Sequence, residues 1–538
     1  MNATSTPILR REHTTLSSID SSLLALILLP ILVMIVYNRY YHPLSPFPGP
    51  FLASIWPGWQ AWENPGNVED QEPLLHERYG TIIRVSPNMI SVADPECLKE
   101  ICSRADRTQW WLPFGHKGIA DGSSIRSSGL HEELRKRAGI AYSADVTRWW
   151  ENVVDWRARE WIRELKGECG GGGIRLNFSE WARYLSVDLV SLVVFGVDIG
   201  CKGNERDNGG HIQAFERGLG MAGVLARLPN IYGALACNPL INNSWMAKVE
   251  KEGLGAVRVK VGLIIDAAWK SREEGTTKGV TLLEEAMSAK NSDGTRLTKE
   301  GVYSECFLPF LTAQDSTALA ITSTLKLLLT NPRVLATLLS ELATYYVGKP
   351  FSHIPPWTDI ADLDTKLPYL SVVLRESLRL HPAFNMGILR IVSGVTLTHR
   401  ERLYTIPGGC KIRANPFVIG RNKRVFGEDA HCFRPERWLD GSKEGVERMK
   451  AVRLEWGTGS SDCLGKALAQ LAVAKAIVMV LRNFEIELAS GHARGEMWKL
   501  VATGAHHAAE LWVKVEPKED KTDGKEVAGE MDEASEHS

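Results

Sequence analysis

Residues 456–465 read WGTGSSDCLG and hold one cysteine among three glycines. A free cysteine is ordinarily a small buried hydrophobe. The glycines ask for more. Gly457, Gly459 and Gly465 each lower the local cost of a positive φ or of close backbone approach, as a loop lying against something flat or bulky requires. Beyond Cys463 the chain runs LGKALAQLAVAKAIVMVLRNF, apolar on nearly every face, which is the pattern of a helix buried in a core. Cys463 therefore falls at or just before a helix N-terminus, where unpaired N–H groups and the helix dipole favour a thiolate. A thiolate aimed at a glycine-lined surface suits the axial position of a flat metal macrocycle. A dinucleotide loop would need a third glycine in register, and a P-loop would need GKS or GKT; neither is present.

Two further stretches carry polar groups where the pattern is apolar. In LPYLSVVLRESLRLHP, residues 367–382, Glu376 and Arg379 are three apart and share one side of a helix. On a surface such a pair contributes little. Beside Leu374, Leu378 and Leu380 it has little solvent face, so the carboxylate and guanidinium must satisfy each other. FRPERWL at 433–439 offers Arg437 as a third partner. In FLPFLTAQDSTALAITSTLKLLL, residues 307–329, the run TAQDST interrupts an apolar helix. Its hydroxyls either bond back to the helix or line a groove carrying a proton relay.

The bulk properties frame these features. The chain has 538 residues, 44% hydrophobic and 24% charged, with a net charge of -1, which gives no electrostatic case for nucleic acid. Nine scattered cysteines with no CxxC pair argue against a disulfide framework or zinc cage and for a reducing compartment. Leu23–Tyr37 reads LLALILLPILVMIVY, uncharged over fifteen residues or ~22 Å of helix. Extended over its flanks to about 21–41, with Tyr37, Tyr40 and Tyr41 at headgroup level, it reaches the ~30 Å of a transmembrane anchor. NRYYHP offers no signal-peptide cleavage site. Arg10 and Arg11 precede the run and Arg39 follows it, so charge alone does not orient it; the free cysteines favour a cytoplasmic body.

Four regions follow: the N-terminal segment 1–41, a proline-rich hinge 42–50, a body 51–515, and a polar acidic tail 516–538 whose composition is that of disorder. The body is mainly α with minor β, an α+β class. Helical patterns cover 131–167, 178–196, 245–270, 299–330, 366–380 and 463–482, and β-like runs lie around 81–94.

Taken in order, Glu376-Ser-Leu-Arg379, Phe433-Arg-Pro-Glu-Arg437-Trp and the Trp456–Gly465 loop, behind an apolar N-terminus and prolines, resemble the cytochrome P-450 superfamily of haem-thiolate monooxygenases. YHPLSPFPGPF and FSEWARYLSVDLVSLVVFG resemble its fungal microsomal secondary-metabolism branch. The resemblance implies one large helical domain with small sheets, holding haem through Cys463, with Trp456, Gly457 and Gly465 in the haem loop. It implies a buried triad of Glu376, Arg379 and Arg437, and haem-edge contacts from His131, Arg135 and Arg390. It places Asp315 and Ser316 where an acid–hydroxyl pair activates dioxygen, with Thr317 able to share or take that role.

The same resemblance implies substrate contacts from 107–125 (Trp110, Trp111, Phe114), from Phe307–Leu311 and from Phe384–Ile388. It also implies electrons from NADPH through a reductase, with cytochrome b5 as a further donor, an endoplasmic-reticulum membrane and a lipophilic substrate. The alternatives are a haem-thiolate isomerase or dehydratase that needs no reductase, and a haem-binding protein without catalysis. The chain departs from the family at Trp456 (usually Phe), Ser461 (usually Arg), Ala313 (usually Gly) and His131 (usually Trp). Losing the Arg removes a charge-assisted contact worth about 1.5–3 kcal/mol, so haem retention leans on Arg135, His131 and Arg390.

Overall fold

A computed structural model describes residues 21–56, 59, 68–103, 105–107, 125, 127–142, 144–199, 201, 207, 210–227, 253–273, 281–383, 388–399, 402–489, 500–502, 506–508 and 510–518. At its centre runs the helix Lys299–Thr330. Thr298 caps its start by accepting the Gly301 N–H at 3.2 Å, and Pro332 opens the next helix immediately after it. Three other long helices pack around it: Ala144–Cys169, Phe178–Phe195 and Lys466–Asn483. Phe178–Phe195 is apolar nearly all round, is capped by Asn177, and stops at Gly196 with φ +69°. Trp161, Phe178, Leu185, Ile321, Leu325, Leu471 and Ile477 lie in one buried cluster across the four. Each such side chain contributes roughly 1.5–3 kcal/mol by leaving water.

A five-stranded sheet flanks the bundle in the order Ile82–Ser86, Met89–Val92, Lys411–Ala414, Ile388–Val392, Ala105–Arg107. Only the Met89–Val92 pairing with Lys411–Ala414 is parallel. A second sheet joins Ile174–Asn177, Trp512–Pro517 and Phe484–Leu488, tying the C-terminal part to the bundle. Glu72 pins the helix Val68–Tyr79 to the first sheet: it accepts from Ser91 Oγ at 2.5 Å and Asn415 Nδ2 at 2.7 Å, and pairs with Arg413 at 3.1 Å.

The expected helix over 131–167 is two helices, Ser128–Gly139 and Ala144–Cys169, parted by a short 3-10 turn at Ile140–Tyr142. The helix expected from 245 is described from Leu254 to Glu273. Helix Lys466–Asn483 starts three residues later than the apolar pattern suggests, because the glycine loop extends to Gly465. The tail beyond 518 lies outside the described residues.

The N-terminal expectations need correction. The first helix covers Ser21–Val36, 16 residues, and passes into a π-helical turn at Tyr37–Tyr41. At ~1.5 Å per residue the α-helical part is about 24 Å long. Among the described residues no helix is long and apolar enough to cross a membrane. The proline-rich segment packs on the body: Leu44 and Phe47 are buried in one cluster with Ile82, Ile90 and Leu397. Pro48 C=O accepts the Arg84 N–H at 2.7 Å, and any side chain at Gly49 would collide with the Arg84 backbone, 2.2 Å away. Arg84 itself donates to Asn38 C=O at 2.7 Å and Pro87 C=O at 2.6 Å.

Candidate active site

The loop before Cys463 is a closed turn in which the Cys463 N–H donates to Trp456 C=O at 2.7 Å. Gly457 has φ +82°, and a Cβ there would lie 2.3 Å from Ser461 O; Gly459 has φ +58°. These two glycines are required as the sequence suggests. Gly465 is not: its φ is −79° and a Cβ would meet only Tyr142 at an ordinary 3.9 Å. Nor does the helix terminus yield a thiolate on its own. Burial pushes the Cys463 thiol up, and the Gly465 N–H, Arg135 and Lys466 only partly offset it. Ionisation therefore waits on a stronger local positive charge, which a bound metal cation supplies.

Although the residue counts as exposed, Cys463 opens onto an internal cavity of about 660 Å³. Leu464, Gly465 and Leu468 flank it. The long central helix contributes Leu308, Ala313, Ser316 and Thr317 to the lining, and His131, Arg135, Arg390, Trp456 and Gly457 complete the site. His131 and Arg390 are buried, and Arg390 Nη1 donates to Leu389 C=O at 3.0 Å. Burial lowers the Arg135 pKa, against the attraction of Asp462 and the Cys463 sulfur. The Trp456 indole N–H is buried with no hydrogen-bond partner among the described residues. A single thiol, apolar walls and basic side chains fit an iron macrocycle with an acidic edge. Among the described residues no cluster of three or more His, Cys, Asp or Glu could hold a metal, and Cys463 is the one thiol in the lining.

The TAQDST stretch divides its labour around the helix. Ser316 Oγ donates to Thr312 C=O at 2.9 Å, with a longer 3.4 Å approach to Ala313 C=O, and faces the cavity with Thr317. Asp315 is absent from the cavity lining, since successive residues turn by about 100°. Its carboxylate is buried 3.8 Å from Arg183 Nε, with no hydrogen bond among the described residues to either oxygen. Burial pushes it up to about 6, against the pull of Arg183 and with a smaller push from Glu216. A carboxyl there exchanges its proton near neutral pH.

Glu376, Arg379 and Arg437 meet as the sequence spacing suggests. Arg379 donates Nε to Glu376 Oε2 at 2.8 Å and Nη2 to Oε1 at 2.7 Å, while Arg437 Nε reaches Oε1 at 2.9 Å. The Arg434 N–H and the Trp438 indole complete the carboxylate's shell at 3.0 and 2.9 Å. Burial raises the Glu376 pKa, but the bonds and charges of Arg379 and Arg437 outweigh it and hold the carboxyl below its usual range. The guanidiniums spend their remaining donors on the carbonyls of Ala430, Phe426, Asp429 and Cys432.

The expected stretch Phe307–Leu311 reaches the cavity through Leu308 and Pro309, while Phe307, Phe310 and Leu311 are buried in the core. Phe307 stacks on Tyr303, and Phe310 meets Phe195 edge-on. Trp110, Trp111, Phe114 and residues 384–387 lie outside the described residues. Sequence reading missed Arg183 and Ser186, which reach the groove from the neighbouring helix; Ser186 Oγ donates to Ala313 C=O at 3.1 Å. Polar residues spaced three apart in the otherwise apolar helix Phe178–Phe195 were the available signal.

The fold and the sequence are both similar to those of known proteins. A crystal structure of a cytochrome P450 superposes with a TM-score of 0.68 at 19% identity, covering 84% of this chain and 95% of that one. Pisatin demethylase of Fusarium vanettenii is 26% identical over 87% of this chain and 89% of its own length. Cytochrome P450 monooxygenase gsfF of Penicillium aethiopicum is 26% identical over 84% and 90%, and quiannulatic acid synthase of Emericella variicolor 25% identical over 84% and 88%. The sequence pattern of one family, Cytochrome P450, matches residues 48–501, and that family implies haem on a cysteine thiolate, the group the cavity beside Cys463 fits. With the pattern running through nearly the whole body, the chain belongs to the cytochrome P450 family of oxidoreductases.

Proposed function

We propose that this chain is a haem-thiolate monooxygenase acting on a lipophilic small molecule in secondary-metabolite biosynthesis. The observation that carries the reading is the placement of Cys463 and of Ala313, Ser316 and Thr317 on one cavity. Haem bound there supplies dioxygen activation, with the thiolate pushing electron density toward O–O cleavage. One oxygen atom would enter the substrate by hydroxylation or epoxidation; in desaturation none enters, the substrate gives up two hydrogens and both oxygen atoms end as water. In hydroxylation or epoxidation the other would leave as water, with two electrons from NADPH through a flavoprotein reductase, cytochrome b5 as a further electron donor, and two protons from the medium. Arg135, His131 and Arg390 hold the haem edge, and Trp456, Gly457 and Gly465 form its loop. Asp315 takes protons from the solvent side, and the hydroxyls of Ser316 and Thr317 face the reacting centre. The apolar walls at Leu308, Val190 and Val193 favour a lipophilic substrate and exclude bulk water.

The names pisatin demethylase and quiannulatic acid synthase support an oxidised natural product as the substrate class. The N-terminal helix is proposed to hold the body on the cytoplasmic side of the endoplasmic reticulum, supported by its exposed Leu29, Leu32 and Val33 and by the tyrosines that follow. The test is mass spectrometry of products from a host expressing the chain with and without a reductase. A product with one added oxygen, dependent on the reductase, is expected. Turnover independent of any reductase would replace this reading with an isomerase or dehydratase.

A further inference from the structure

One face of the central helix follows the cavity from Ser316 back through Thr312, Pro309 and Leu308 to Glu305, the spacing of residues that share a helix side. Glu305 and Ser316 are therefore about 16 Å apart along the axis. Between them the Thr312 hydroxyl is spent on Leu308 C=O at 2.9 Å, and the wall is otherwise apolar. The Glu305 side chain is 9% exposed. Arg137, on the helix Ser128–Gly139, donates Nε to Glu305 Oε1 at 2.6 Å, and its Nη2 lies 2.5 Å from the same oxygen. Its Nη1 is taken by Asn291 Oδ1 at 3.0 Å, and the Asn291 amide is oriented by donating to Thr295 Oγ1 at 3.0 Å. A guanidinium and a carboxylate commonly pair fork to fork, with one bond to each oxygen. Here both fall on one oxygen, and among the described residues Glu305 Oε2 accepts no hydrogen bond. Burial pushes the Glu305 carboxyl up, against the charge and hydrogen bond of Arg137. A further donor to Oε2 offsets that burial.

We propose that Glu305 is a substrate-binding residue whose Oε2 accepts a hydrogen bond from a neutral hydroxyl on the lipophilic substrate. The class follows from charge. Arg137 already balances the carboxylate, so an ammonium group brought into the apolar cavity would leave a net charge out of water. An alcohol or phenol brings a donor and no charge. A ketone or an ether brings acceptors only, and would face the carboxylate without a donor. The separation along the helix adds a shape. An elongated molecule held by its hydroxyl at Glu305 presents its other end to the turn at Ser316. Arg137 and Asn291 decide which carboxylate oxygen stays open to it.

The inference rests on the monooxygenase reading, and the experiment separates the two. The probes are rigid fused-ring lipophiles, each prepared as the alcohol, its methyl ether and the corresponding primary amine. They are titrated into the oxidised full-length protein, and affinity is read from the spin-state shift of the Soret band and from the rise in melting temperature. A wild type whose reduced carbon-monoxide complex lacks the red-shifted Soret band of thiolate ligation overturns the haem reading, while the melting temperatures still test Glu305. The alcohol should bind at least about tenfold more tightly than its methyl ether, as a hydrogen bond to a charged group allows. Glu305→Gln should abolish the preference, because Arg137 keeps the amide oxygen and turns the NH2 donor toward the cavity. Arg137→Leu combined with Glu305→Leu removes both charges together, so that no buried arginine is left unpaired. It should also abolish the preference while leaving the affinity for the ether unchanged. Equal binding of alcohol and ether by the wild type, an unchanged preference in both variants, tightest binding of the amine, or no binding of any alcohol overturns the assignment.

Discussion

The Trp438 indole donates to Glu376 Oε2 at 2.9 Å, the same oxygen that accepts Arg379 Nε at 2.8 Å. The triad is thus a carboxylate with a full donor shell, and its arginines tie Gly420, Phe426 and Ala430 to the helix Pro368–Leu380. Breaking a buried ion pair from one side costs about 3–5 kcal/mol, because the other charge stays behind. Arg437→Ala should therefore give little folded, haem-loaded protein. Trp438→Phe, losing one bond to a charge, should cost about 1.5–3 kcal/mol in urea unfolding. Full haem occupancy in Arg437→Ala would show that the shell carries no such load.

Cys463→Ser should abolish the red-shifted Soret band of the reduced carbon-monoxide complex while leaving the helical circular dichroism unchanged. Retention of the band would move the ligand to another cysteine.

The two loop glycines make a paired test. Gly457→Ala forces a side chain into φ +82° and against Ser461 O, so it should cost at least about 1–3 kcal/mol of loop strain and reduce haem content. Gly465→Ala meets nothing closer than 3.9 Å and should change stability by about 1 kcal/mol or less. Equal effects in the two variants would contradict the turn geometry.

Asp315 predicts a pH signature. Its carboxyl holds a proton to about pH 6 in the folded chain, against an ordinary value of 3.8. Between those limits the folded state binds more protons than the unfolded one, so charging Asp315 lowers stability as pH rises. The penalty is absent below the lower value and complete above the higher one. Asp315→Asn should therefore gain on the wild type by about 2–3 kcal/mol between pH 3.5 and 7. A parallel pH dependence of the two proteins in urea unfolding would show that the carboxyl titrates normally.

Truncation separates the N-terminal helix from the packed segment after it. Deleting residues 1–36 should preserve the fold and shift protein out of the membrane pellet. Deleting residues 1–50 also removes buried Leu44 and Phe47, each worth about 1.5–3 kcal/mol, and should lower the melting temperature. Equal melting temperatures would mean that the segment is not part of the core.

The ligand loop and the triad were legible in sequence because each is written in residues close together or in a short motif with one chemical use. Cys463 sits among glycines of which two have positive φ, and the ExxR spacing puts Glu376 and Arg379 on one helix face. Phe307 and Phe310 misled because an apolar helix beside a cavity shows aromatics to both core and cavity, and the pattern does not say which face is which. Ser186 was hidden for another reason. Its partner Ala313 is 127 residues away, and the acceptor is a backbone carbonyl, which no side-chain pattern encodes. The strands from 388 to 414 escaped because their pairing depends on residues 89–107, far off in the chain.

Arg84 has one further effect. By donating to Asn38 C=O from a fully buried site while Pro48 C=O holds its own backbone N–H, it joins the end of the N-terminal helix to the first sheet on both sides of the prolines. The base of that helix is thereby fastened to the first sheet at two points. A force that turned the helix would therefore be passed to the first sheet through Arg84, and a variant lacking that side chain should uncouple the two.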